Sequence, residues 1–472
     1  MILRQIIQNE LTRLMRDRVI LTLAVLVLGL LAVSVLTGER YYQQLSSAQA
    51  EAEYLSRFQW EQQGEKNPHS AAHYGTHAFK PVSVLMIFEP GVTRYTGVSL
   101  FLEGHRQNTA SFSLAEDLDA SLRFAELTPA FIFTYLFPLL IIFAGFRMVV
   151  AEKESGMYRF IMAQGISRIQ LIWGKTAALW IMVLAIFAPF FLFGLIVSGL
   201  PISAETDLYR YLVLALIWVG YFGIIIHLTI GISSIARQSG TAMVSLLAIW
   251  MVITLLVPKV TSNMAASLHT VPTTSEFYQS VRTDLQQGID GHNPFSEHSV
   301  AFRDSVLNAH GVTDVADLPF NFSGMMLQEA EEFEKKIYDY HLERIQSIHD
   351  RQLGVFSLGA ILSPGLSMQL TSMHIAGTDI HAFRHFTQEA EEYRVELMRV
   401  LNNDLRDNAV GERAIGYVTG RDFFEQNPVF RYERPSNIIP SADTIPFILA
   451  LLSWFIISAG FVGFVASKKE VV

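Results

Sequence analysis

Apolar stretches without charged residues alternate with polar segments along the chain. Six of these stretches reach the roughly 17 residues that a helix needs to cross the hydrocarbon core of a bilayer. The sequence therefore predicts an all-α membrane protein in which six transmembrane helices account for the apolar stretches. The predicted spans are residues 19–37, 129–150, 173–198, 211–235, 241–257 and 445–467.

Polar segments of very different length separate these spans. The segment before the first span mixes apolar with basic side chains, which is typical of an amphipathic helix at the membrane interface. Two long segments, before the second and the sixth span, are predicted to form mainly helical domains outside the membrane. The predicted pieces are an interfacial connector helix (1–18), two extracytoplasmic domains (38–128 and 258–444), a cytoplasmic loop (151–172), an outer loop (199–210) and a cytoplasmic tail (468–472).

One further segment, residues 354–377, is free of Asp, Glu, Lys and Arg. It is less apolar than the six spans, and Pro364 and Gly365 interrupt it. We expect it to lie on the surface of the membrane or of an outer domain. The alternative is a re-entrant element that enters the membrane and returns.

Composition and charge support a membrane protein and predict its orientation. Hydrophobic residues make up 51% of the chain and charged residues only 17%, which excludes an ordinary soluble protein of this length. With the N-terminus inside, the inner segments carry twelve Lys and Arg against five Asp and Glu, although the whole chain has a net charge of −9. Because positive residues accumulate on the cytoplasmic side, both termini are predicted to be cytoplasmic. The first span is longer than the apolar core of a signal peptide and is expected to stay as an anchor.

A charged stretch, residues 152–176, ends in Gly174-Lys175-Thr176, like a phosphate-binding loop. That loop also needs a glycine five residues before its Gly-Lys pair, and Ile169 occupies the position here. The sequence patterns of zinc proteases and serine hydrolases are missing as well. We therefore predict no catalytic residues in this chain, and its inner segments are too short to hold an ATPase domain.

The same stretch contains a short predicted helix with a largely apolar ridge. The spacing i, i+3, i+4, i+7 of one helical face is filled by Met157, Phe160, Ile161 and Gln164. Such a ridge could receive a protein that docks from the cytoplasm. An interfacial linker helix that contacts only lipid explains the pattern equally well.

The residue order through this stretch is similar to the signature of ABC-2 type permeases, the membrane subunits of one class of ABC transporter. The matching motifs are Glu152-Lys153-Glu154-Ser155-Gly156-Met157, Gln164-Gly165-Ile166-Ser167-Arg168, Leu171 and Gly174-Lys175. In that family the segment forms a coupling helix that sits in a groove of a separate ATPase subunit. The resemblance implies that the ATPase-coupling residues here are Glu152, Glu154, Gly156, Met157, Phe160, Ile161, Gln164, Ser167 and Arg168.

A second resemblance concerns the outer segment before the last span. Its motifs are similar to those of a bacterial subgroup with a large extracytoplasmic domain between spans five and six. The matching motifs are Leu362-Ser363-Pro364-Gly365, Gly377-Thr378-Asp379 and Ala390-Glu391-Glu392-Tyr393-Arg394. The resemblance implies the bacterial inner membrane, an ABC ATPase dimer as partner, and pairing with a second permease copy or a paralogue. ATP and magnesium would be bound by the ATPase, with no cofactor in this chain.

The implied function is export or extraction of a substrate, driven by ATP hydrolysis in the partner chain. Spans rich in aromatic and aliphatic side chains favour an amphiphilic or lipid-like substrate. The large outer mass favours an alternative, a mechanotransmitting or scaffold subunit that acts on a periplasmic partner without cargo crossing. A membrane-anchored enzyme or sensor that acts through the outer domains is a third hypothesis.

Histidines are the remaining candidates for chemistry. His227 lies inside a predicted span, where it could line a translocation path, but a neutral ring bonded to a neighbouring helix is favoured. His69, His73 and His77 follow one another at steps of four, which would align metal ligands on one helical face. Because the segment follows a proline and contains a glycine, a helix is doubtful. We therefore favour polar surface residues over a metal site.

Overall fold

The computed structural model describes residues 2–110, 127–199, 205–288, 290–411, 415–435 and 444–468. Most of these residues are helical, and six helices are long and apolar enough to cross a membrane. Each of the six contains most of one predicted span, so the prediction of an all-α membrane protein with six transmembrane helices is confirmed. Parts of the predicted first outer domain, outer loop and tail (111–126, 200–204 and 469–472) lie outside the described residues.

The helices are numbered here in chain order, and two of them include a π-helical turn, at 132–136 and 252–256. They are α1 (Ile2–Arg16), α2 (Arg18–Glu61), α3 (Pro68–Tyr74), α4 (Thr93–Thr96), α5 (129–145), α6 (Val150–Glu154), α7 (Met157–Ala163), α8 (Arg168–Val197), α9 (Glu205–Ile235), α10 (Ser239–Leu268), α11 (Thr274–Leu285), α12 (Glu297–His310), α13 (Phe322–Leu362), α14 (Pro364–Ala376), α15 (Ile380–Asn408), α16 (Arg421–Gln426) and α17 (Ile445–Ser467). A small antiparallel sheet, which the sequence did not predict, consists of β1 (Thr76–Phe79), β2 (Ser99–Glu103) and β3 (Arg106–Gln107).

Helix α2 runs without a break from the bundle into the outer part of the protein. The Asp17 side chain caps its first turn by accepting a hydrogen bond from the Val19 backbone N–H at 2.9 Å. The first predicted span ends at residue 37, yet the polar run that follows contains no proline and continues the helix to Glu61. Gly38 lets this continuation pack closely, because a Cβ atom there would lie 2.9 Å from the Ile87 carbonyl oxygen.

Helix α9 forms the centre of the bundle and packs against α5, α8, α14 and α17. It contributes Trp218 and Phe222, which are fully buried against the Phe133 and Phe137 rings of α5. The ring centroids lie 4.8 Å apart for Phe133 and Trp218 and 4.3 Å apart for Phe137 and Phe222. Aromatic pairs at these separations stabilise a core beyond the burial of their area, so aromatic residues of the spans contribute to holding α5 and α9 together.

The charge-free segment 354–377 is largely buried from Ser363 to Ala376, which differs from the expectation of a surface location, whereas Leu358, Ile361 and Leu362 before them are exposed. It forms the end of α13 and all of α14, which meet at Ser363 and pack α14 against α9 and α17. The Ser363 hydroxyl donates a hydrogen bond to the Ile253 carbonyl oxygen of α10 at 2.5 Å. The Trp454 indole N–H of α17 donates to the Ile361 carbonyl oxygen at 2.7 Å. The segment therefore forms a helical hairpin whose turn contacts two of the helices that are long and apolar enough to span a membrane.

The hydroxyl residues of this hairpin explain why its hydropathy was misleading. The Ser367 hydroxyl donates to the Ala360 carbonyl oxygen at 2.8 Å, and the Thr371 hydroxyl donates to the Ser367 carbonyl oxygen at 2.8 Å. Small side chains let helices approach closely, and hydroxyls bonded to backbone carbonyls can be buried at little cost. Serines and threonines therefore lower the hydropathy of a segment that is nevertheless buried.

The two long outer segments pack together into one outer body. The sheet rests on α15, where Ala78 and Leu102 share a core with Phe386. The far end of α2 also reaches this body, and Trp60 packs in a core with Leu401 of α15 and Phe424 of α16. The outer body thus contains residues that precede the second span and residues that follow the fifth. It is joined to the bundle by α2 and α13.

A buried carboxylate connects the outer end of α14 to the first outer segment. Glu89 is only 5% exposed and accepts a hydrogen bond from the Ser372 hydroxyl at 2.5 Å. Burial raises the pKa of Glu89 from 4.5 to about 7, although the bond from Ser372 opposes the shift. The folded protein therefore holds the Glu89 proton more tightly than the unfolded chain, and the stability that this proton contributes is lost as the pH rises from 4.5 to about 7.

We expect Glu89→Gln to remove this pH dependence, which is worth about 3 kcal/mol at 1.36 kcal/mol per pKa unit. The variant should melt at a higher temperature than the wild type at pH 8, and the difference should shrink at pH 5. Scanning fluorimetry of the detergent-solubilised protein at both pH values measures this. Glu396→Gln, at a half-exposed carboxylate of α15, is the control. A Glu89→Gln difference of equal size at both pH values would contradict the buried-proton account.

Candidate functional site

The predicted cytoplasmic loop folds into short helices joined by glycine turns. Gly156 precedes α7 with φ at 76°, and Gly165 follows α7 with φ at 82°. Both angles lie in the left-handed region that favours glycine. Ser167 then begins α8 with a capping box, because its hydroxyl accepts from the Gln170 N–H at 3.2 Å while the Gln170 side chain accepts from the Ser167 N–H at 3.1 Å. Gly156 therefore turns the chain into α7, and Ser167 caps the start of α8. Both residues have structural roles, and neither belongs to the exposed face of α7.

Helix α7 has one exposed and one buried face. Met157 is 51% exposed and Phe160 is 61% exposed, and Gln164 lies on the same side. Tyr158 is buried in a small core with Ile161, which differs from the prediction that Ile161 belongs to the exposed ridge. Ile161 packs in a core with side chains of α1 and α8. The spacing of residues within α7 alone could not show this contact. The exposed ridge of α7 therefore consists of Met157, Phe160 and Gln164.

The Gly-Lys-Thr near the start of α8 has a structural role. Lys175 is 0% exposed, donates a hydrogen bond to Glu152 of α6 at 2.6 Å and also forms an ion pair with Glu10 of α1. Gly174 lies against α1, where a Cβ atom would come within 2.7 Å of the Ile6 side chain. These contacts fasten α1 and α6 to α8, so the motif is explained without a bound nucleotide.

The other charged residues predicted for ATPase coupling also bind within the chain. Glu154 caps the start of α10, where its carboxylate accepts a hydrogen bond from the Ser239 N–H at 2.7 Å. Arg168 donates to the Lys468 carbonyl oxygen at the end of α17, at 3.2 Å. A carboxylate at a helix N-terminus stabilises that helix. Glu152, Glu154 and Arg168 therefore join helices of the same chain. The exposed apolar side chains of this loop are on α7.

Helix α6 is fastened to the end of α9 by further hydrogen bonds. The Ser233 hydroxyl accepts from the Val149 N–H at 3.1 Å and from the Val150 N–H at 3.3 Å. Lys153 donates to the Ser234 carbonyl oxygen at 2.6 Å. Helix α6, which directly precedes α7, is therefore bonded to α8, α9 and α10.

His227 is buried in the bundle at 3% exposure. Its Nδ1 lies 3.2 Å from the Ser458 hydroxyl of α17, and its ring packs against Phe455 with centroids 5.2 Å apart. The ring thus bonds a neighbouring helix, as in the favoured sequence interpretation. A place on a translocation path stays an untested prediction.

Two of the three predicted outer histidines share a helix. The doubt about helix around Pro68 is corrected by α3, because proline is well accommodated in a first helical turn and Gly75 ends the helix with φ at 69°. His77 lies beyond that end on β1, beside Phe101 with ring centroids 5.0 Å apart. His69 and His73 remain one helical turn apart, and His77 is separated from them.

Two further histidines that the sequence did not single out join this pair. The histidine cluster is defined here as His69, His73, His105 and His292, whose nearest nitrogens all lie within 4.8 Å of one another. Burial lowers the pKa of His69 to about 4. For His105, burial lowers the pKa but is outweighed by the carboxylates of Glu334 and Glu331, which raise it. His105 sits in the β2–β3 turn with φ at 63°, and that turn presents its ring to the other three.

Comparison with known protein families gives two matches. A family model described as "ABC-2 family transporter protein" matches residues 4–312. A second model, "Domain of unknown function (DUF3526)", matches residues 275–433 and so covers much of the second outer segment. No curated protein matches the chain.

Proposed function

Since the chain belongs to the ABC-2 family of transporter proteins, and is therefore a multi-pass permease component of an ABC transporter, we propose that a separate ATPase subunit drives it through the exposed ridge of α7. The single observation that carries the proposal is the exposure of Met157 and Phe160 on a helix whose other side packs through Tyr158 in a small core. Met157 and Phe160 lie one helical turn apart, and neighbouring apolar side chains that form an exposed patch support a surface that another protein covers.

The surroundings of α7 support a cytoplasmic location for this ridge. The same end of the bundle holds α1, the start of α10 and the end of α17, as the contacts of Glu10, Glu154 and Arg168 require. Positively charged residues accumulate at this end, which favours the cytoplasmic side. We therefore propose that both termini face the cytoplasm of a bacterium and that the chain lies in its inner membrane.

The hydrogen bonds around α6 suggest how ATP hydrolysis would move the bundle. Closure of an ATPase dimer, which holds ATP and magnesium, would push on α7. The bonds of Glu154 to α10 and of Lys153 to α9 would then carry the motion into the spans. We propose that the permease works with a second copy or a paralogue, and that the resulting motion exports or extracts an amphiphilic substrate.

A direct test compares Phe160→Asp with Phe160→Leu in the full-length protein, expressed in its native host and purified in mild detergent. Aspartate places a charge on the ridge, whereas leucine keeps it apolar. We expect the wild type and Phe160→Leu to co-purify with a chain that carries a phosphate-binding loop and hydrolyses ATP. Phe160→Asp should lose at least nine-tenths of that chain while keeping the melting temperature of the wild type.

Phe160 suits this test better than Glu154 because Glu154 caps α10 and its loss would disturb the fold. Equal recovery of the ATPase with the aspartate and leucine variants would show that α7 is an interfacial linker helix. Absence of an ATPase from all three samples would count against the proposal as a whole.

One observation favours mechanotransmission to a periplasmic partner as the second candidate. Helix α2 is continuous from Arg18 to Glu61, and Trp60 at its far end is buried in the outer body. Such a rod could move the outer body with each ATPase cycle without cargo crossing. Reconstitution with the ATPase in lipid vesicles separates the candidates, because only a transporter shows ATP-dependent movement of lipid or other amphiphiles.

A further inference from the structure

Imidazole nitrogens converge on one point at the surface of the outer body. His105 Nε2 lies 3.3 Å from His69 Nε2 and 3.1 Å from His292 Nε2, and His73 completes the cluster. Nitrogen ligands bonded at about 2.0–2.1 Å to a tetrahedral zinc ion stand roughly 3.3 Å from one another. These two separations are therefore close to the edge length of a tetrahedral metal site, and the remaining nitrogen pairs of the cluster lie within 4.8 Å.

Hydrogen bonds on the far side of two rings fix which nitrogens face this point. His69 Nδ1 lies 3.1 Å from the side-chain oxygen of Asn402, whose amide nitrogen donates to Gln328 at 3.3 Å. His105 Nδ1 lies 3.1 Å from a Glu334 carboxylate oxygen. Because these oxygens accept, Nδ1 is the donor in both rings, and each neutral ring then has a lone pair on Nε2. Two lone pairs that face each other repel unless a cation lies between them.

The outer contacts of the cluster resemble the supporting layer of a metal centre. Ligand histidines usually give their second N–H to a carboxylate or a carbonyl oxygen, which fixes the ring and strengthens its donor nitrogen. Glu334 does this for His105, and Glu331 also accepts from the His105 backbone N–H at 2.6 Å. Arg394 in turn donates to Glu331 at 2.9 Å. The turn that carries His105 is thus held by buried charged groups.

We propose that the histidine cluster binds one divalent transition-metal ion, with Zn²⁺ as the best fit. Imidazole ligands suit zinc, copper and nickel, and the separations of 3.3 and 3.1 Å from His105 Nε2 are close to the nitrogen–nitrogen spacing of a tetrahedral zinc site. The chain contains no cysteine, so the ligands of a zinc site here can only be histidine nitrogens or carboxylate oxygens. His73 and His292 are exposed, which gives the ion a path from solvent.

The position of the ligands gives this ion a structural consequence. His69, His73 and His105 precede the second span, whereas His292 follows the fifth. A bound ion therefore joins the two outer segments, at the point where the β2–β3 turn meets the loop after α11. Metal binding that requires the folded arrangement also stabilises it.

The test uses full-length, tag-free protein in detergent, stripped with a chelator and then given zinc sulfate alone. We expect about one zinc per wild-type chain by mass spectrometry of the metal after desalting, and a higher melting temperature with zinc. His105→Ala should retain less than about a tenth of that metal. Glu334→Gln, which leaves all four rings in place, should weaken zinc binding about 10- to 100-fold in a competition titration.

His77→Ala is the matched control, because His77 follows His73 by the same step of four but lies outside the cluster. It should bind zinc like the wild type. If the wild type takes up no more zinc than His105→Ala, or if His77→Ala loses zinc to the same extent, the proposal is overturned. If the wild type takes up no more zinc than His105→Ala, a proton shared by His69 and His105 would account for the short separation of their Nε2 atoms.

Discussion

Lys175→Met is expected to lower the free energy of unfolding by about 3–5 kcal/mol, because it leaves two buried carboxylates without their counter-charge. Glu10 is 6% exposed, and Glu152 lies beside it with its side chain 14% exposed. Both face the Lys175 ammonium group, which is wholly buried. The loss should act first on α1, since Glu10 is its charged contact with α8. Helix α1 should therefore exchange its amide hydrogens faster before the bundle itself unfolds.

Hydrogen exchange of residues 2–16 and thermal unfolding in detergent measure these two effects. Lys259→Met, at an exposed position of α10, is the control and should change stability by less than about 0.5 kcal/mol. Adding Glu10→Gln and Glu152→Gln to Lys175→Met should restore much of the loss, because no buried charge then lacks a partner. A Lys175→Met protein with wild-type stability and exchange would show that the ion pairs are not formed.

The sequence predicted the features that depend on neighbouring residues. Apolar windows define the spans because a helix must bury a run of about 20 residues in lipid. The short helix before α8 was visible from the spacing of Met157 and Phe160. Glu10, Glu152 and Lys175 come from three helices, and their meeting depends on packing. The same holds for Glu154, whose partner Ser239 belongs to a later span.

The outer body shows a different limit of sequence reasoning. His69 and His73 were noticed because a helix places residues four apart on one face. His105 joins them through a tight turn with positive φ, and His292 through a loop that follows the fifth span. No local pattern connects these positions. The helical hairpin at 354–377 was expected on a surface for another reason, because its hydroxyls bond to backbone carbonyls and only appear too polar to be buried.

Arg394→Met is expected to be as severe for the outer body as Lys175→Met is for the bundle. The Arg394 side chain is 2% exposed and binds Glu331 and Glu391 at 2.9 Å each. Both carboxylates are also buried, so the substitution leaves two uncompensated charges and should cost about 3–5 kcal/mol. Since Glu331 holds the backbone of His105, zinc uptake by the histidine cluster should fall as well.

Arg399→Met provides a matched control on the same helix. Arg399 pairs with Glu396 at the same i, i+3 spacing as Arg394 with Glu391, but its side chain is 43% exposed. Solvent screens an exposed pair, so its loss should cost less than about 1 kcal/mol and leave zinc uptake unchanged. Thermal unfolding and zinc content of the two variants separate the effect of burial from the effect of charge. Equal losses in both would mean that Arg394 acts as an ordinary surface charge and that the outer body is held by its apolar cores.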